Sequence, residues 1–192
     1  MARWEPDAIG RLQQAALELY GERGYDQTTV AEIAARAGLS ERTYFRHFAD
    51  KREVLFHGSE VLQEALAAAV EQAPADDPPL EAVAHGLRRI GGFFDERRAS
   101  SRRRHEIIRS NPELQERELM KRGSLVIALT SALRRRGVDP QTAGLAAESG
   151  VSIFHIAYVR WVADGQDRPY AEHVDETLAS LRDLTVAETV RG

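Results

Sequence analysis

Cysteine is absent from all 192 residues, which removes disulfides, thiolate nucleophiles and Cys-ligated zinc or iron–sulfur clusters together. Long apolar runs are missing too: stretches such as Leu125 to Leu129 fall far short of the roughly 20 residues that cross a bilayer. The opening Met1-Ala2-Arg3-Trp4-Glu5-Pro6 holds no apolar signal-peptide core. The expectation is a soluble cytoplasmic protein with no membrane partner, which the lack of cysteine fits. Excess positive charge is lacking, since the net charge is −4 and the pI about 5.9. Bulk attraction to nucleic acid is therefore disfavoured, and any DNA binding must come from a local surface. No G-x-S-x-G, H-E-x-x-H, glycine-rich phosphate loop or Cys/His dyad occurs, so nothing supports an enzyme. His57, His85, His105, His155 and His173 are scattered, and the pair Glu81 and His85 on one helix face supplies too few ligands for a metal. No cofactor and no metal are expected. Alternating apolar and polar strand patterns are almost missing as well.

Helical periodicity is abundant, and 43% hydrophobic residues suffice for a core. Ile9, Leu12, Ala16, Leu19 and Tyr20 step by three and four from a Pro6-Asp7 start, and Gly24-Tyr25 reads as a Schellman-type stop. Thr29-Val30-Ala31-Glu32 is a capping box that opens a short second helix with Ile33 and Ala34 inward, ended by Gly38. Ser40 caps a third helix through His47. Asp50-Lys51-Arg52-Glu53 is a second capping box, starting a long fourth helix with Val54, Leu55, Val61, Leu62 and Leu66. The proline-rich stretch from Ala73 to Pro79 is a loop. Beyond it a fifth helix runs toward Arg97 with Leu80, Val83, Leu87, Ile90 and Phe94 on one face. Asn111-Pro112, Asp139-Pro140 and Pro169 open further helices.

Three short helices, the last two joined by a tight glycine turn, are the parts of a helix-turn-helix. In Ala37-Gly38-Leu39-Ser40, Gly38 tolerates a positive φ, Leu39 plugs the space between the helices and Ser40 caps the reading helix. The stretch from Glu22 to Ser40, then Thr43-Tyr44-Phe45-Arg46-His47-Phe48 and Asp50-Lys51, resembles the DNA-binding head of TetR-family transcriptional repressors. The resemblance is dense over roughly the first quarter of the chain and rests on length and helix count beyond it. It implies an all-α, nine-helix homodimer whose two third helices read a pseudo-palindromic operator in double-stranded DNA until a small-molecule effector binds. The implied division is residues 1–50 for the DNA-binding domain and 51–192 for ligand binding and dimerisation.

By position, the resemblance puts phosphate contacts at Thr29, Phe45, His47 and Lys51 and base contacts around Ser40, Glu41, Arg42 and Thr43. The chemistry of most of these agrees. Arg42 offers a donor fork for guanine, Glu41 can accept from cytosine, and Thr43 can meet base or phosphate. Phe45 departs from the family's usual tyrosine and lacks a phenol, so it can pack on sugar and a thymine methyl but cannot hydrogen-bond a phosphate. Tyr44 and Phe48 read as core. Up to Arg52 the head is formally neutral, with its basic members grouped around the third helix.

Arg97-Arg98-Ala99-Ser100-Ser101-Arg102-Arg103-Arg104 is the densest basic run. It reads as a solvated loop between helices, or as a collector of anionic ligand or DNA phosphate. Phe93, Phe94, Ile108, Leu129, Phe154, Tyr158 and Trp161 either pack as core or line an apolar ligand pocket, with Arg104, His105 and His155 to orient an uncharged or acidic effector. Ala143, Leu145, Ala146, Val151, Ile153, Ala157 and Val162, then Val174, Leu178, Leu181 and Leu184, suit either a four-helix dimer interface or an internal core. A second functional reading keeps DNA binding but limits the C-terminal part to dimerisation or protein recruitment.

Overall fold

The computed structural model describes residues 7–186. Among these the regular structure is helical, without a strand. It comprises α1 (Ala8–Arg23), α2 (Val30–Arg36), α3 (Glu41–His47), α4 (Glu53–Phe56), α5 (Ser59–Glu71), α6 (Pro79–Arg89), α7 (Gly91–Asp95), α8 (Arg98–Arg109), α9 (Pro112–Arg135), α10 (Pro140–Ala163) and α11 (Tyr170–Val186). The expected nine helices correspond to these segments once two interruptions are counted. The fourth helix breaks at Gly58, where φ is 86°, into α4 and α5, and the fifth breaks at Ile90 into α6 and α7. Pro6, where the first helix was expected to open, lies outside the described residues; Asp7 caps α1 by accepting the Gly10 N–H at 3.0 Å.

Packing divides the described residues into two units, one of the residues up to 59 with 99–119, the other of 60–98 with those from 120 on. In the first, Leu12, Leu19, Ile33 and Tyr44 are almost fully buried together with Ile108 of α8 and Leu114 of α9. These parts of α8 and α9 therefore close the core of the helix-turn-helix unit, covering apolar faces that three short helices cannot cover alone. Arginines brace them. Arg104 Nε donates to the Leu55 carbonyl at 2.7 Å and its guanidinium lies over the Phe56 ring at 5.0 Å, while Arg104 also meets Glu118 at 3.2 Å. Arg117 Nε donates to Glu53 at 2.6 Å.

Those contacts correct the second expected capping box. Asp50 does accept the N–H groups of Arg52 and Glu53, at 2.8 and 3.2 Å. Glu53 does not return the bond to Asp50, because Arg117 holds its carboxylate. The basic run is likewise not a loop: from Arg98 it belongs to α8.

In the second unit α10 packs on α6 and α11. Gly150 makes the α6–α10 approach possible, since a Cβ there would collide with the Val83 side chain. Ala143, Ala146, Val151, Ile153, Ala157, Val162, Val174 and Leu178 are all buried within this unit. Most of the residues that suited a dimer interface thus resolve to internal core. Leu145 and Leu184 of that set remain exposed, at 65% and 78%, and so does Val61 of α5, placed on the fourth helix's apolar face by its spacing.

The second unit also holds an aromatic cluster centred on Phe94. Phe154, Tyr158, Trp161 and Tyr170 all lie within 6 Å of its ring centroid, distances at which aromatic pairs add to their burial energy. Asp95 satisfies the polar atoms that this cluster buries. Its Oδ1 accepts the Trp161 Nε1–H at 3.1 Å and the Tyr170 backbone N–H at 2.9 Å. Arg98 covers the Trp161 face at 4.6 Å, donates to the Trp161 carbonyl at 3.1 Å and donates to the Arg168 carbonyl.

Candidate nucleic-acid interface

Local bonds set the turn between α2 and α3. The Gly38 N–H donates to Ala35 O at 3.0 Å and the Leu39 N–H to Ala34 O at 2.8 Å, the bond pair of a Schellman motif. Gly38 takes the left-handed position with φ 68°, which a side chain would strain. Leu39, partly buried, packs on the core of this unit. The first helix stops more simply than expected, with the Gly24 N–H on Tyr20 O at 3.0 Å.

At its start, α2 carries the complete capping box. Glu32 N–H donates to Thr29 Oγ1 at 3.2 Å and Thr29 N–H to Glu32 Oε2 at 2.9 Å. The Thr29 hydroxyl also donates to Glu32 at 2.9 Å, so it is occupied by its own helix. Ser40 caps α3 by accepting the Thr43 N–H at 3.2 Å, and the two hydroxyls share a bond of 3.0 Å.

Along α3 the inward and outward faces separate cleanly. Tyr44 and Phe48 are buried at 0% and 2% exposure, and the Tyr44 hydroxyl reaches the carbonyls of Asp50 and Lys51, both at 3.3 Å. Glu41, Arg42, Phe45 and Arg46 are exposed. Phe45, more than half exposed, rests edge-on against Tyr44 at 5.6 Å, so its ring is held while its outer face stays open for sugar or a thymine methyl. Arg42 has no hydrogen-bond or ion-pair partner among the described residues. Arg46, one turn further, meets the His47 ring at 3.3 Å. Burial, then the Arg46 charge, lowers the His47 pKa below its usual 6.5. The resemblance pointed to Arg42 and gave no role to Arg46, although i and i+4 share a helix face.

The remaining cations of the head among the described residues are engaged elsewhere. Arg36 pairs with Glu22 and Glu18, Arg23 with Glu32, and Arg52 with Asp50 and Glu113. Arg11 donates to the Ala37 carbonyl. Lys51 donates to the carbonyls of Tyr25 and Thr28, at 2.8 and 3.1 Å, and stands 4.0 Å over the Tyr25 ring. It therefore ties the turn before α2 to the segment before α4, leaving one ammonium hydrogen for another acceptor. An open groove of about 320 Å³ beside it is lined by Tyr25, Asp26, Asp50, Lys51, Arg52 and Glu113.

The residues expected to line a ligand pocket fall in both units. Phe94, Phe154, Tyr158 and Trp161 meet in the aromatic cluster, which also includes Tyr170, not singled out by its spacing; Leu129 belongs to the same core. His155 is half-buried on α10. Phe93 is 44% exposed and stacked by Arg97 at 4.4 Å. Arg104, His105 and Ile108 belong to the unit with the helix-turn-helix. Burial lowers the His105 pKa.

Comparison with known proteins agrees with this architecture. Residues 12–57 match the family described as bacterial regulatory proteins, tetR family, and residues 77–185 match the MftR C-terminal domain. The chain belongs to the TetR family. TetR-family members are transcriptional regulators, not enzymes. TcmR of Streptomyces glaucescens is 42% identical over 82 residues, covering 43% of this chain and 36% of TcmR. The chain thus matches about a third of that relative's length. MftR of Mycobacterium tuberculosis, a putative mycofactocin biosynthesis regulator, is 24% identical over 80% of this chain and 79% of its own.

Solved TetR-type structures share the fold. Thermus thermophilus FadR in complex with lauroyl-CoA aligns over 96% of each chain with a TM-score of 0.54 at 24% identity. SmeT in complex with triclosan aligns over 90% of each with a TM-score of 0.59 at 21% identity. In this TetR-family chain, the helix-turn-helix lies in the stretch matching the family's N-terminal model. The aromatic cluster lies in the stretch matching the MftR C-terminal domain. No described helix is long and apolar enough to cross a membrane.

Proposed function

We propose that this protein is a homodimeric transcriptional repressor whose two α3 helices read a pseudo-palindromic operator and whose C-terminal unit responds to a small organic effector. The observation that carries the reading is α3 itself. Its inner face is locked by Tyr44 and Phe48, and its outer face presents Arg42 and Arg46 outside any carboxylate pair. A rigid helix with exposed guanidinium forks suits the major groove, where an arginine meets guanine N7 and O6 bidentately. Glu41, Thr43, Phe45 and His47 flank the forks, and Ser40, Thr29 and Lys51 serve chiefly to hold the reading helix and its neighbours.

Exposed Leu145 and Ile156 on α10 and Leu184 on α11 supply apolar surface for a two-fold partner. Two such heads fit half-sites roughly 34 Å apart, one turn of DNA. Effector binding in the C-terminal unit would favour a head spacing that misses one half-site, a population shift rather than a loss of fold. Lauroyl-CoA and triclosan, held by the two structural relatives, are suitable first effectors to try.

The test is fluorescence anisotropy with DNA from the region upstream of the protein's own gene and with scrambled DNA, at two salt concentrations. A salt-dependent preference for the upstream DNA, reversed by an effector, is the expected result. Equal affinity for operator-like and scrambled sequences across a genomic fragment library would remove the sequence-reading role.

A further inference from the structure

Eight arginines of the described residues are half-buried, and seven of them have partners. Arg52, Arg88, Arg98, Arg104, Arg117 and Arg168 meet carboxylates, and Arg136 donates to the carbonyls of Val70, Glu71, Ala73 and Pro74. Arg122 on α9 is the exception. Its Nε is buried without a hydrogen-bond partner, and no ion pair reaches it among the described residues. The exposed arginines without partners, Arg42, Arg89, Arg103, Arg109 and Arg134, bond to water and raise no such difficulty. A buried unsatisfied donor on a charged group is costly to keep.

The position of Arg122 is as telling as its isolation. It begins the stripe that continues through Leu125, Val126 and Leu129, steps of three and four that share one face of the helix. Leu125 and Leu129 are core, and Val126 is partly buried against them. The neighbouring Lys121 pairs with Glu60 at 3.6 Å, which places this turn of α9 beside the start of α5 and leaves that carboxylate engaged by the lysine. The guanidinium edge made by Nε and one Nη is the edge that grips a carboxylate or phosphate with two parallel bonds. Here the Nε of that edge is buried at the end of an apolar stripe without an acceptor among the described residues, while the side chain as a whole is only half-buried.

We propose that Arg122 anchors the oxyanion, carboxylate or phosphate, of an organic effector whose apolar body packs on the adjoining turn at Val126. This rests on the reading of the C-terminal unit as an effector-binding domain, and it specifies the ligand's chemistry: an amphiphilic anion, against a neutral or cationic molecule. Binding supplies the acceptor that the buried Nε lacks, and a second for the adjoining Nη, so ligand affinity is gained at a group the empty protein keeps unsatisfied.

The full-length protein is titrated by calorimetry with octanoate, octyl phosphate and octanol, and its melting temperature is followed with each. At least one anion is expected to bind and to raise the melting temperature while octanol does so far more weakly; which anion wins identifies the oxyanion. Arg122→Gln should weaken that anion about tenfold or more, Arg122→Lys less, because a lysine supplies charge without the fork. Arg134→Gln, on the exposed face of α9, should leave the affinity unchanged. Without ligand, Arg122→Met should melt no lower than the parent, whereas a purely structural arginine would melt lower when removed. Octanol binding as well as both anions, equal anion affinity in parent and Arg122→Gln, or failure of both anions to bind overturns the proposal. Operator binding by Arg122→Gln is measured in parallel: if the parent protein binds anion but no DNA, the repressor reading fails and the anion site stands.

Discussion

Arg42 and Arg46 of α3 and Arg98 and Arg104 of α8 carry the same charge to opposite ends. On α3, a sparse pair stands exposed and outside any carboxylate pair. On α8, the densest basic run of the chain gives up Arg98 to Trp161, Asp95 and two carbonyls, and Arg104 to Phe56, Leu55 and Glu118. Charge density along a sequence therefore does not say which cations a ligand can use. Availability depends on whether a helix's neighbours offer acceptors, and the neighbours of α8 do.

The sharpest way to break that contrast is to remove one cation of each kind. Arg98→Met should destabilise the protein by about 3 kcal/mol, because it strips a nearly buried guanidinium from carbonyl and carboxylate partners. Urea unfolding measures this, and a loss below about 0.5 kcal/mol would reclassify Arg98 as surface charge. Arg42→Ala should leave unfolding almost unchanged but cost roughly 1 to 3 kcal/mol of operator binding and relax one base position. Equal loss on operator and random DNA would reduce Arg42 to a phosphate contact.

The two histidines with lowered pKa extend the comparison to pH. His47 lies on α3 beside Arg46, and a DNA phosphate there would favour its protonated form. Operator affinity should therefore rise as pH falls below about 6.5, and His47→Gln should flatten the change. His105 on α8 is also kept neutral, by burial. Its unfolded form takes up a proton more readily, so its stabilising contribution is present above about 6.5 and lost as pH falls below it. His105→Gln should remove part of that acid sensitivity in melting curves without altering the pH profile of DNA binding. The smallest effect belongs to Arg103→Ala, at an exposed site of α8: within about 0.5 kcal/mol in unfolding, and no change in DNA binding. A clear loss of DNA affinity there would give the basic run a direct contact after all.

The head was legible because its signals are local. Thr29 with Glu32, Ser40 with Thr43, and Gly38 with Ala35 are pairs three residues apart, so residue type and spacing state the bond. The same legibility failed at Asp50-Lys51-Arg52-Glu53, where a residue 64 positions away takes the Glu53 carboxylate. It failed again at Lys51, whose two carbonyl partners lie 26 and 23 residues back in the chain.

In the C-terminal half, periodicity identified the buried faces of α6, α10 and α11 but not what they bury against. Ala143, Val151 and Val174 serve a core within the chain rather than a partner, and a stripe of small and apolar residues has the same pattern in either case. Tyr170 and Asp95 carried no recognisable spacing, yet they complete and satisfy the aromatic cluster.

By itself, then, the sequence determined the helical class, the caps of α2 and α3 and the helix-turn-helix between them, all of which follow from local caps, a glycine turn and a 3.6-residue period. Only the tertiary structure decided which arginines brace and which stay open, which apolar stripes are core, and that the buried Nε of Arg122 is left without an acceptor among the described residues. Those outcomes depend on partners dozens of residues away, and the energy of a charge depends on what the fold brings beside it.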